Sequence, residues 1–168
     1  AEEARIIVES HLKEIKLTLN PEKTHITTFY KGFEFLGFKI NSRFVTMRPK
    51  SVVKFKDKIR EITRRCHNLD KQLIEKVNAI VRGTANYYAT SFTHVSTIFN
   101  KLDMWLRVRL RAMKFKRKWR TDNRRLRVKH LQRKGIIYLN HLRENILNPL
   151  LRNSRRGRPM QEKCTSVN

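Results

Sequence analysis

The period of the apolar residues changes at Ser51, and this switch restricts the chain to a small sheet followed by packed helices. Downstream, Val52, Phe55, Ile59, Ile62 and Cys66 step by three and four, the spacing of one helix face. Leu73, Val77, Ile80 and Val81 repeat the pattern and run on to Tyr87 and Tyr88, after a break at Asn68 and Asp70. A third stripe, over residues 97–118, carries Ile98, Phe99, Leu102, Trp105, Leu106, Leu110 and Met113. Three amphipathic stripes joined by short loops predict a helical bundle, with Ser51 as the expected N-cap of its first helix. Residues 121–151 predict one or two further short helices on Leu139, Leu142, Ile146 and Leu150, ended by Pro149. The stretch 152–168 lacks apolar periodicity and is expected to be disordered.

Upstream of the switch, Ala4, Ile7, Val8, Leu12 and Ile15 predict a helix over residues 2–17. No Ser, Thr, Asp or Asn precedes it as a cap, so the chain is expected to open inside a helix, as a fragment or processed piece. After the Asn20-Pro21 turn, residues 25–29 predict a strand, Lys31-Gly32 a turn, 33–40 a second strand and 43–47 a short third one. The expected class is α+β: a mainly α-helical bundle preceded by a helix and a small antiparallel hairpin. That hairpin and helix bury too little surface to stand alone and need a neighbour.

Charge then narrows the function. The chain has 39 Lys and Arg against 14 Asp and Glu, a net charge of +25. Residues 1–50 hold nine basic and six acidic residues; residues 51–168 hold thirty and eight. A field of that sign attracts polyanions, with nucleic acid the first candidate and an anionic membrane surface the rival. The apolar runs are too short for a membrane-spanning helix. Between Lys101 and Lys134 stand fifteen Lys and Arg and only Asp103 and Asp122. Arg107, Arg111, Lys114 and Lys118 step by four, three and four, so the pattern predicts a cationic ridge along one helix face. Such repulsion is relieved by a phosphate backbone. Charge reversal at Arg107, Arg111 and Lys114 together is therefore expected to weaken RNA binding far more than helix content.

Bond-making chemistry finds no footing. Only Asp57 and Glu61 among the later acids share a helix face, and Lys54, Lys58, Arg60 and Arg64 surround them, which reads as helix salt bridges. The six histidines and two cysteines, Cys66 and Cys164, show no metal-ligand spacing; the cysteines read as reduced thiols. With five glycines there is no phosphate-cradling loop.

Three segments, in order, resemble one family. "LTLNPEKT" followed by "FEFLGFKI" resembles the end of the palm of group II intron reverse transcriptases. "VNAIVRGTANYYATS" and "FNKLDMWLRVRLRAMKFKRKW" resemble the maturase-specific (X, or thumb) domain that follows it. The resemblance covers about residues 4–120 and implies a palm remnant over 1–48, a maturase-specific domain over 49–120, a basic helical extension over 121–151 and a tail over 152–168. It implies binding of group II intron RNA and of template–primer, with assistance to splicing and mobility. The family's fingers and palm would be further partners, and the resemblance allows a homodimer. A bacterial cytoplasm or an organellar interior is the expected location, and no membrane partner is expected.

The family's catalytic Tyr-x-Asp-Asp is absent, so polymerase activity is not expected of these residues alone. No cofactor is expected in this chain; Mg²⁺ belongs with the missing palm aspartates. A stand-alone, non-enzymatic maturase or general RNA-binding module is the alternative. Lys23 matches the family lysine near the incoming triphosphate, or is a solvated turn residue. Phe35, Leu36, Gly37 and Phe38 match the hairpin that grips the primer end, with core packing the competing role for the phenylalanines. Arg107, Arg109, Arg111, Lys114 and Lys118, with Arg82 behind them, are the candidates for RNA phosphate contacts. Tyr87, Tyr88 and Trp105 read as core aromatics before base-stacking platforms, and Gly83 as a close-packing site.

Overall fold

A computed structural model describes residues 1–21, 24, 26–117, 119 and 121–148. Pro149, the 152–168 tail, Cys164, Lys23 and Lys118 lie outside the described residues. Ten elements follow in order: α1 (Glu2–Glu14), β1 (Phe33–Phe35), β2 (Phe38–Ile40), β3 (Val45–Met47), α2 (Pro49–Ile62), α3 (Lys71–Tyr88), α4 (Ser96–Lys114), α5 (Asp122–Arg125), α6 (Val128–Arg133) and α7 (Leu139–Leu147). The α+β class and the helical stripes are as the sequence implies.

The sheet departs from the sequence reading in detail. Residues 26–28 form no strand, and the segment 33–40 is two strands rather than one. The strands pair antiparallel in the order β1-β2-β3, with Phe35 opposite Phe38 and Phe38 opposite Met47. The two-residue turn between β1 and β2 is Leu36-Gly37, both at positive φ (46° and 84°), the backbone of the primed turns that match strand twist. Apolar alternation through FEFLGFKI hides this turn, because Leu36 rather than Asn or Asp occupies its first position.

The start of α2 also shifts. Pro49 occupies the first helical turn and Arg48 is the N-cap, not Ser51. A proline there sacrifices an N–H that has no intrahelical partner in any case. By contrast, α3 is capped as its sequence suggests: the Asp70 carboxylate accepts from the Leu73 N–H at 2.8 Å.

The core lies among α2, α3, α4 and the segment 126–139. Phe55, Ile59, Val77, Val81, Phe99, Leu102, Leu106 and Leu110 fill its centre, and Leu126, Leu131, Ile136 and Leu139 close it. Burial of each such side chain contributes about 1.5–3 kcal/mol. α1 buries no residue, and Ile6, Ile7, Ile15 and Leu17 remain exposed.

Two buried polar side chains fasten the last third of the chain to the bundle. Asn78, on the apolar face of α3, donates from Nδ2 to the Gly135 carbonyl at 2.7 Å and accepts from the Ile137 N–H at 3.0 Å. Asp103, 4% exposed on α4, accepts from the Leu139 N–H at 2.9 Å and the Asn140 N–H at 3.1 Å. It thus supplies from another helix the cap that Tyr138 cannot give α7. Burial nevertheless raises the Asp103 pKa above its ordinary 3.8, against the lowering effect of the two N–H donors and of Arg107. The folded state therefore holds this proton more tightly than the unfolded state. The stability contributed by that protonation is fully present below pH 3.8 and is lost as pH rises through the raised value. Urea unfolding across this range should show the advantage of the wild type over Asp103→Asn shrinking as pH rises; an advantage that grows would mean that the N–H donors outweigh desolvation.

Candidate nucleic-acid interface

The predicted cationic ridge on α4 is not a free, uniform face, and the reason is helix phase. Leu102, Asp103, Leu106, Leu110 and Met113 point into the core, which leaves Lys101, Met104, Val108 and Lys114 as the most exposed positions. Arg107, Arg109 and Arg111 fall at the edges of the buried stripe and are half-buried.

Each of the three is engaged inside the protein. The Arg107 guanidinium lies over the buried Tyr138 ring, 5.5 Å from its centroid. Arg109 donates from Nε to Thr63 Oγ1 at 3.0 Å and from Nη2 to the Arg60 carbonyl at 3.4 Å, at the end of α2. Arg111 donates from Nε to the Leu126 carbonyl and from Nη1 to Asn123 Oδ1, both at 2.8 Å. Burial and the neighbouring Arg107 lower the Arg111 pKa, but a guanidinium remains charged throughout the working pH range. Reversing Arg107 and Arg111 would thus break the attachment of α5 as well as any phosphate contact. The charge reversal expected to act on RNA binding therefore also removes contacts within the protein. Lys114, in contrast, is exposed, and Arg82 is exposed apart from a long Nε contact of 3.4 Å to the Asn78 carbonyl.

The densest exposed positive charge lies one step further along. Arg124, Arg125, Arg127, Lys129, Arg133 and Lys134 are exposed or nearly so across α5, α6 and their loops. The nearest acid, Asp122, is 1% exposed and paired with Arg117 at 3.3 Å, so it does not neutralise them. These residues were counted in the sequence as part of a basic run but not singled out. The available signal was that α5 and α6 are too short to hide their polar sides.

Of the hairpin residues, Phe38 and the Leu36 carbonyl meet α3. Phe38 stacks on Tyr87 (5.5 Å, 18° between planes) and meets Tyr88 edge-on at 5.1 Å. Tyr87 donates its hydroxyl to the Leu36 carbonyl at 2.6 Å, which pins the left-handed Leu36 in place. Tyr88 is buried, Tyr87 is half exposed and Trp105 is half-buried beneath Lys56 and Arg60. Phe35 and Leu36 are exposed on the hairpin.

At Gly37 a Cβ would lie 2.8 Å from the Tyr88 hydroxyl, so the protein itself occupies the space that a nucleic-acid backbone was expected to use. Gly83 is the reverse case. Close packing was the expected reason for a glycine that costs a helix about 1 kcal/mol relative to Ala, yet among the described residues no other element lies within 4 Å of the position of its missing Cβ.

Among the described residues no three His, Cys, Asp or Glu side chains are grouped to hold a metal ion. No helix among them is long and apolar enough to cross a membrane.

Gly37→Ala should destabilise the protein by about 1–3 kcal/mol, through both the positive φ and the Tyr88 contact. Denaturant unfolding measures this, and Tyr88→Phe in the same background should recover part of the loss.

Comparison with known proteins adds one match. The family described as "Group II intron, maturase-specific domain" aligns with residues 52–135, half of the chain. No curated protein matches it.

Proposed function

Because the chain belongs to the group II intron maturase-specific domain family, we propose that it binds intron RNA as the thumb of a maturase, chiefly through the cationic surface of α5 and α6. The observation that carries this reading is the run of six exposed Lys and Arg over residues 124–134, with its one neighbouring acid buried and paired. Asn78, Asp103 and Arg111 fix that surface to the bundle. A fixed array of cations binds a phosphate backbone without the full entropic cost of ordering a flexible arm, and its affinity comes from counterion release.

Clamping of a template–primer duplex, assistance to splicing, and an origin of residues 1–48 in a reverse-transcriptase palm belong to the same proposal. The exposed apolar residues of α1 support the palm reading over a stand-alone RNA-binding module. A helix with Ile6, Ile7 and Val8 in water is stabilised by packing on more protein, as the end of a palm would be. Chemistry is left to residues outside this chain.

The test is a salt titration of binding to structured RNA. The wild type should lose affinity steeply as salt rises. Reversing Arg124, Arg125, Lys129 and Arg133 to Glu should reduce the salt slope by about two to four and weaken binding at least about tenfold at 0.1 M salt, since each phosphate contact contributes about 0.7–0.9 to the slope. Circular dichroism should be unchanged, because these side chains lie outside the core. An unaltered slope would remove α5 and α6 from the interface.

A further inference from the structure

A cleft lies between α2 and α3, bounded at one end by the Tyr87 and Tyr88 side chains that meet the hairpin. It has a volume of about 590 Å³, within the range of pockets that hold small-molecule-sized groups. Its apolar lining comes from Ile80 and the half-exposed Tyr87, with the nearly buried Phe55 and Met47 behind them. Lys54 and Lys58, one helical turn apart on α2, stand on one wall. Both lysines are exposed, and among the described residues neither has an ion pair or hydrogen bond with another side chain and no acid lines the cleft. Gly83 lies on the opposite wall, with Thr84 and Tyr87 beside it.

Gly83 is the informative residue. It sits inside α3, where glycine is among the poorest helix formers. A glycine inside a helix ordinarily permits the close approach of another group, but among the described residues no side chain makes that approach. The space is therefore available to something that enters from outside. An apolar lining accepts a flat aromatic group, and two adjacent unpaired ammonium groups accept anions. A nucleotide presents both, and unpaired RNA residues are commonly recognised by such a combination.

We infer that the α2–α3 cleft is a binding site for a single unpaired nucleotide of RNA, with its base on the apolar lining beside Gly83 and its phosphates on Lys54 and Lys58. This rests on the RNA-binding reading given above and adds a second, shape-selective site to the cationic surface of α5 and α6. Paired stems bind through the backbone and leave the cleft empty; a bulged or looped-out residue fills it. The protein would thereby prefer structured RNA with extruded nucleotides to continuous duplex.

The experiment compares two RNA hairpins that differ only in one bulged adenosine, each titrated with the full chain by fluorescence anisotropy. The wild type should bind the bulged hairpin about tenfold more tightly, as expected for one well-seated base. Gly83→Leu, which fills the cleft from a position with open space, should abolish the preference while retaining affinity for the fully paired hairpin. The double variant Lys54→Ala with Lys58→Ala changes only exposed side chains and should reduce the preference severalfold, so the proposal stays testable if the leucine disturbs the fold. Equal affinity of the wild type for the two hairpins would overturn the proposal and leave the cleft to an apolar side chain of a protein partner. A preference that survives both variants would overturn it as well. Failure of the wild type to bind either hairpin would instead strike the RNA-binding reading on which the proposal rests.

Discussion

The arrangement depends on a few polar side chains set into apolar helix faces. Asp103 on α4 and Asn78 on α3 are buried, and between them they satisfy four backbone groups of the segment 135–140. Arg111 adds the Leu126 carbonyl. Backbone groups that enter a protein interior without partners cost about 1–3 kcal/mol each. A segment as short and basic as 121–140 would not bury its backbone against the bundle without these acceptors and donors. Leu126, Leu131, Ile136 and Leu139 can then complete the core.

That attachment divides the positive charge into two classes. Arg107, Arg109 and Arg111 are turned to internal use, stacking on an aromatic ring or donating to hydroxyl and carbonyl oxygens. Arginine suits this role, because its planar fork satisfies several acceptors while keeping a weakly hydrated charge. The cations of α5 and α6 are left in solvent, where like charges on a rigid support attract a polyanion. A strongly basic composition is thus partly a means of building the scaffold and partly the surface the scaffold presents.

Much of this was legible in the sequence. The period of the stripes located α2, α3 and α4 to within a few residues, because burial of one helix face repeats every three to four positions. The resemblance of Arg82–Tyr88 and Leu102–Arg111 to the maturase-specific domain agrees with the family match. What escaped was decided by geometry at longer range. The ridge of Arg107, Arg111 and Lys114 has correct helical spacing, but spacing does not say which edge of the stripe another element will cover. Leu36-Gly37 was read through as strand because its hydrophobicity continues the alternation. Gly83 was read as a packing glycine, since a sequence does not distinguish a filled space from an open one. Asn78 and Asp103 did carry a signal: each interrupts an apolar stripe, and a polar residue there must find a partner.

The proposed function requires residues 124–134 to form a fixed surface that RNA can occupy. Amide hydrogen exchange, measured on the free protein and with structured RNA, tests this directly. Exchange at Leu126, Leu131, Ile136 and Leu139 should be slow in the free protein, and added protection on RNA binding should centre on residues 124–134. Rapid exchange at those four amides, or RNA protection confined to α1 and the hairpin, would contradict it.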